Sequence, residues 1–158
     1  YKYELVEKII VKLPKKYKEK SYVIIDGKFC NIDPFLGTDF HLLSDVKFSK
    51  IESLTGYFPK FKSKEKVFLN KGIIKNKKIS KFNEFIKRSS VFLPFLKYAK
   101  YKGSIYSVRT LNIKKERTDE RSTELNFYGK KIICINSSKW NMSYFISHKI
   151  LSELIKKV

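Results

Sequence analysis

The sequence predicts an α+β fold: a mostly antiparallel β-sheet with two central helices and one long C-terminal helix. Three observations predict it. Apolar residues alternate with polar ones in several short stretches near both ends of the chain. Two segments, 80–101 and 140–158, carry apolar residues at helical spacing instead. The chain of 158 residues is one domain's worth, enough to bury roughly 70% of its unfolded surface.

Each element has its own signal. In residues 1–14, Tyr3, Leu5, Ile9, Val11 and Leu13 fall on one face of a strand that Pro14 ends. Residues 15–20 read as a solvated turn. Residues 21–27 form a second strand, and Asp26–Gly27 signals an antiparallel return. Pro34 and Gly37 mark 31–38 as a loop, and 39–49 reads as a third strand. The lysine-rich stretch 50–80 reads as a connection with one short strand at 66–69. Ser80 is placed to cap a helix whose Phe82, Phe85 and Ile86 share a face. Pro94 then kinks the helix or starts a second one. Residues 103–113 return to alternation, with Arg109 on the strand and Tyr106 on its opposite, core-facing side. Segments 122–129 and 130–136 pair as a hairpin about Tyr128–Gly129. The last helix aligns Met142, Phe145, Ile146, Ile150, Leu151, Leu154 and Ile155 in one stripe.

Charge and composition narrow the function classes. Thirty-five basic residues against 15 acidic ones leave a net charge of +20. Such a balance suits an anionic partner, nucleic acid or membrane surface. The lysines are spread along the chain and arginine is scarce, which argues against a dedicated nucleic-acid reader and leaves compositional bias as the alternative. No apolar run approaches the ~20 residues of a membrane span, and no signal peptide is evident, so a cytoplasmic protein is expected. Cys30 and Cys134 stand far apart and are read as free thiols. With Tyr1 first and Met142 the sole methionine, the chain is expected to be a portion of a longer product.

Two anomalies interrupt the lysine background. Between Lys28 and Lys47 the sequence has no lysine or arginine, and it carries Asp33, Asp39, Asp45 and His41. Three of the four arginines, Arg109, Arg117 and Arg121, lie in SVRTLNIKKERTDERST, 107–123. The segment ERTDER alone reads as a salt-bridged loop. There is no GxGxxG, P-loop, HExxH or GxSxG motif, and neither histidine has metal-ligand spacing to a cysteine or carboxylate.

The order of pieces at the C-terminal end adds a family resemblance. An arginine-bearing strand (IYSVRT) leads to a Thr-Asp loop (ERTDERST), a hydrophobic strand (KKIICINSS) and a helix (KWNMSYFISHKILSELI). This order resembles FAD-dependent amine oxidoreductases of the D-amino-acid oxidase and glycine oxidase class. The early segments YELVEKIIVKLP, SYVIIDGKFCNIDP and GTDFHLL look like that family's substrate-domain strands. The resemblance implies a substrate-domain-like sheet with a helical insertion over 1–110 and a flavin-facing hairpin and helix over 111–158. It implies FAD as cofactor and a small amine or amino acid as substrate. Arg109 would hold the substrate carboxylate through a planar fork. Ser137, Ser138, Lys139 and Asn141 would lie against the flavin, near a helix N-terminus. His41 would orient or deprotonate the amine, its alternative being a histidine buried within the sheet.

The departures from the family are equally specific. TDERST keeps Asp119 but lacks the family's glycine and proline, and NSSKWNM replaces its flavin-side glycines. The Gly-rich unit for the ADP half of FAD is absent from these residues, so this portion alone is expected to be inactive. The reading from another class is a non-catalytic basic module that binds nucleic acid or an acidic partner.

Overall fold

Among the described residues of the computed structural model every strand pairing is antiparallel, and helices stand beside the sheet as an α+β fold requires. The structure describes residues 1–25, 29–113, 123–129, 131–136 and 140–155. Two compact units, Tyr1–Leu111 and Asn112–Val158, are taken separately.

The first unit is built on β1 (Lys2–Lys12). Its neighbours are β2 (Tyr22–Ile24), β3 (Cys30–Phe35), β4 (Phe40–Asp45), β5 (Lys50–Thr55), β6 (Ile73–Ile74) and β7 (Lys100–Leu111). The sheet order is β2-β3-β4-β1-β7-β6, with β5 also paired to β1. Along one edge, β1 meets β5 at residues 2–6 and β4 at residues 9–11; along the other it runs beside β7.

The alternation of β1 sends Tyr3, Leu5, Ile9, Val11 and Leu13 into the core. There they join two apolar clusters. One gathers Ile32, Leu43, Phe82, Phe85 and Leu96 around Ile9 and Val11; the other gathers Phe61 and Tyr106 around Tyr3 and Leu5. The covering layer is α1 (Ser63–Lys66), α2 (Phe82–Ser89) and a 3₁₀ segment, Pro94–Tyr98. Ser80, expected to cap α2, stands one residue before the actual N-cap, Lys81, which makes no side-chain cap bond; Ser80 Oγ still accepts the Phe82 N–H at 3.2 Å.

Four sequence expectations change. Residues 30–35 form a strand although Pro34 suggested a loop. The pairing with β2 ends at Tyr22–Ile32, so Pro34 lies where β3 is an edge, the place in a sheet that tolerates proline. Residues 50–55 form β5, while 66–69 form the end of α1 and a turn whose Phe68 and Leu69 pack on the second cluster. Tyr17, expected in a solvated turn, stacks on Phe95 with ring centroids 4.0 Å apart. The third strand ends at Asp45 rather than reaching residue 49, because Asp45 Oδ1 accepts the N–H groups of Lys47 and Phe48 and closes a turn.

The second unit contains the hairpin of β8 (Glu124–Tyr128) and β9 (Ile132–Asn136), then α3 (Ser143–Ile155). Gly129 turns the hairpin at φ +60°, a conformation that suits a residue without Cβ. Among the described residues of α3 none is buried, so the apolar stripe seen in the sequence leaves Phe145, Leu151, Leu154 and Ile155 exposed. No described helix is long and apolar enough to cross a membrane.

Candidate functional site

The face of the sheet away from α2 carries the alternate residues of β1. On it Glu4 pairs across to Arg109 of β7. The Arg109 guanidinium donates from Nε, at 3.0 Å, and from Nη2 to Glu4 Oε2. Lys50 Nζ stands 3.1 Å from Glu4 Oε1, and Lys2 Nζ 3.7 Å from the same oxygen. Glu4 is only 2% exposed, with Arg109, Lys50 and Lys2 around its carboxylate. Burial pushes its carboxyl up, but hydrogen bonds and charge from Arg109 and Lys50 outweigh that and hold it below its ordinary value. Glu4 therefore contributes stability above the ordinary carboxyl range, and this is lost as pH falls through its lowered value.

Arg109 and Lys50 also line a cleft of about 430 Å³ on this face, whose apolar walls include Val6, Val23, Phe29 and Val46. Charged residues of both signs surround it: Arg109, Lys50 and Lys8, with Glu7, Asp45 and the adjoining Glu4. The Arg109 side chain remains 46% exposed, and its Nη1 has no hydrogen bond among the described residues. The two-tined grip expected of Arg109 is thus already directed at Glu4. Nη1 stays outside that grip, and Lys50 is a second cation on the lining. The sequence offered no signal for Glu4 and Lys50 as its companions, since both read as ordinary charged strand residues.

No protein-family model, curated protein or solved structure matches the chain.

His41 lies elsewhere. It pairs with Val11, a core residue, and so projects toward the helix-covered face, opposite Arg109. It is 1% exposed, and neither ring nitrogen has a hydrogen-bond partner of ordinary geometry. Burial holds its pKa below the ordinary histidine value; the Tyr17 and Lys20 carbonyls and the charge of Asp33 oppose this without reversing it. The structure does not bring His41 to the cleft. Its lowered pKa has a testable consequence. The unfolded chain takes up the proton first, so stability is full above pH ~6.5 and declines as pH falls below it. The urea midpoint should fall between pH 7 and pH 5, and this fall should shrink in His41→Asn. An equal pH dependence in the variant would count against it.

Of the residues placed against the flavin by resemblance, Ser137, Ser138 and Lys139 lie outside the described residues, as do Arg117, Asp119 and Arg121. Asn141 is exposed, in the 3₁₀ turn Trp140–Met142 that leads into the 13-residue α3. His148 is exposed, with its ring 4.6 Å from that of Tyr144. Cys30 is buried, Cys134 is exposed, and both are free thiols. Among the described residues no His/Cys/Asp/Glu group could hold a metal.

Proposed function

We propose that this chain is the substrate-binding and C-terminal portion of a flavin-dependent oxidoreductase acting on an amino acid or a related amine. One observation carries the reading. Arg109 and Lys50 hold opposite oxygens of one buried carboxylate, and both line a cleft with largely apolar walls. Cations fixed at the rim of an apolar cleft can orient a small carboxylate while its body displaces water from the walls.

Glu4 is the positioning residue. It fixes the guanidinium through Nε and Nη2 and leaves Nη1 for the ligand. FAD, when bound, supplies the hydride acceptor. This chain has no Gly-rich strand–turn–helix for the ADP half, so the reading requires that segment elsewhere in the gene product. His41, buried on the other face, takes no part in handling the substrate amine.

The complete gene product should be yellow, with a flavin spectrum that Arg109→Ala leaves intact. That substitution removes a hydrogen bond to a charged group, so KM for an amino-acid substrate should rise about ten- to hundredfold, with kcat little changed. A colourless complete product would defeat the cofactor assignment. A flavin-loaded Arg109→Ala variant with unchanged KM would defeat the cleft as the carboxylate site.

A further inference from the structure

The segment 56–78, which crosses one end of the first unit, sorts its residues by chemistry. Phe61, Phe68, Leu69 and Ile74 turn inward onto the cluster of Tyr3, Leu5 and Tyr106. Eight lysines lie between positions 60 and 78, and all eight are exposed. The one carboxylate in this stretch, Glu65, is buried. The outward surface of the segment is therefore cationic without an acidic residue to offset it.

The tip leading into this segment is equally unusual. Tyr57 is 93% exposed and Phe58 is 71% exposed, although they adjoin in sequence. Their backbone is not loose: Tyr3 Oη donates to the Tyr57 carbonyl at 2.8 Å, and Gly56 N–H donates to the Tyr1 carbonyl at 3.0 Å. Phe58 in turn accepts the Lys60 N–H at 3.0 Å. Two rings are thus held out in water on a pinned loop, next to Lys60, Lys62 and Lys64. Single exposed apolar residues are ordinary; a fixed aromatic pair beside an all-lysine surface calls for a partner.

We infer that Tyr57 and Phe58, with the lysines that follow them, dock this protein onto an anionic membrane surface. Rings of this kind settle at the headgroup boundary, where Phe reaches the acyl region and the Tyr hydroxyl stays wet. Lysines add attraction to anionic lipid and keep their ammonium groups in the aqueous layer. Nucleic acid fits less well, because the segment contains no arginine, the residue that forks onto phosphates and base edges. Val67 of the same segment is exposed as well, and an aliphatic side chain offers no stacking face to a base. This inference is independent of the oxidoreductase reading.

Cosedimentation with vesicles of equal parts phosphatidylserine and phosphatidylcholine tests it, with pure phosphatidylcholine for comparison. Binding to the mixed vesicles alone, weakening with salt, is expected. Tyr57→Ser/Phe58→Ser should lower partitioning about tenfold. Changing Lys60, Lys62 and Lys64 to glutamine should lower it about fivefold per residue. The same change at Lys12, Lys15 and Lys16 should have a much smaller effect. All these positions are exposed, and an unchanged melting temperature verifies the fold. Failure to bind mixed vesicles would overturn the inference, as would equal losses in the two lysine triples or no loss in the ring variant. Oligonucleotide binding with the same dependence on Tyr57 and Phe58 would overturn it in favour of nucleic acid.

Discussion

Glu7→Leu is expected to destabilise the first unit by about 3–5 kcal/mol, a drop in melting temperature on the order of 10–20 °C. Glu7 is fully buried on the core face of β1, between Leu5 and Ile9. Its Oε1 accepts Ser80 Oγ at 2.5 Å, Ser104 Oγ at 2.6 Å and Tyr106 Oη at 3.3 Å. Its Oε2 accepts the Lys81 N–H at 3.1 Å, just before α2 begins. Leucine preserves much of the volume but leaves four donors without their acceptor, those of Ser104 and Tyr106 fully inside and those of Ser80 and Lys81 half-buried. The serines can partly redirect to one another, since their oxygens are already 3.2 Å apart. The loss therefore stays below the sum of four unmade bonds. Glu7→Gln should cost less than leucine, because its carbonyl oxygen can keep the hydroxyl donors while its NH₂ cannot accept the Lys81 N–H. Urea denaturation of the three proteins checks the order; a leucine variant as stable as the parent would refute the role given to this node.

Arg88→Ala should cost about 2–4 kcal/mol, because it strands a buried carboxylate. Arg88 Nη1 donates to Asp45 Oδ1 at 2.8 Å, and the Asp45 side chain has no exposed surface. The N–H groups of Lys47 and Phe48, 2.8 and 3.0 Å from the same oxygen, remain to hold part of the charge. Asp45→Asn should be milder, and combining it with Arg88→Ala should cost less than the sum of the two. A double-mutant cycle measures that coupling. Additive costs would mean that the pair does not act as a pair.

The two predictions concern one helix. α2 is held at its start by a carboxylate from β1 and at its end by one from the β4 terminus. Each carboxylate sits where the helix dipole is favourable or beside a cation from the last turn. The sequence made α2 itself readable, through Ser80 and the spacing of Phe82, Phe85 and Ile86. Neither anchor was readable, because each spans more than 40 positions of chain. The parity of β1 did contain half of the clue. Tyr3, Leu5, Ile9 and Val11 were assigned inward by alternation, and the same count places Glu7 inward with them.

The candidate site divides in the same way. Arg109 stood out as an arginine on a strand in a lysine-rich chain, and it does line a cleft. Its link to Glu4 depends on the register of β1 against β7, and Lys50 joins them only because 50–55 forms a strand. His41 stood out as well, yet strand parity turns it away from Arg109. Alternation predicts which residues share a face within a strand, but not which face the helices will cover.

By itself the sequence determined the α+β class, the alternating strands within 1–14 and 103–113, the α2 pattern, the hairpin turn at Gly129 and the surplus of lysine. These rest on local physics: side-chain period, turn geometry and charge. Only the tertiary structure decided that Pro34 lies within a strand, that Glu7 and Asp45 anchor one helix and that Arg109 shares a carboxylate with Lys50. It likewise decided that Tyr57 and Phe58 stand in water on a pinned loop. Each of those facts comes from long-range pairing, which sets what a side chain meets across the sheet and which local pattern leaves open.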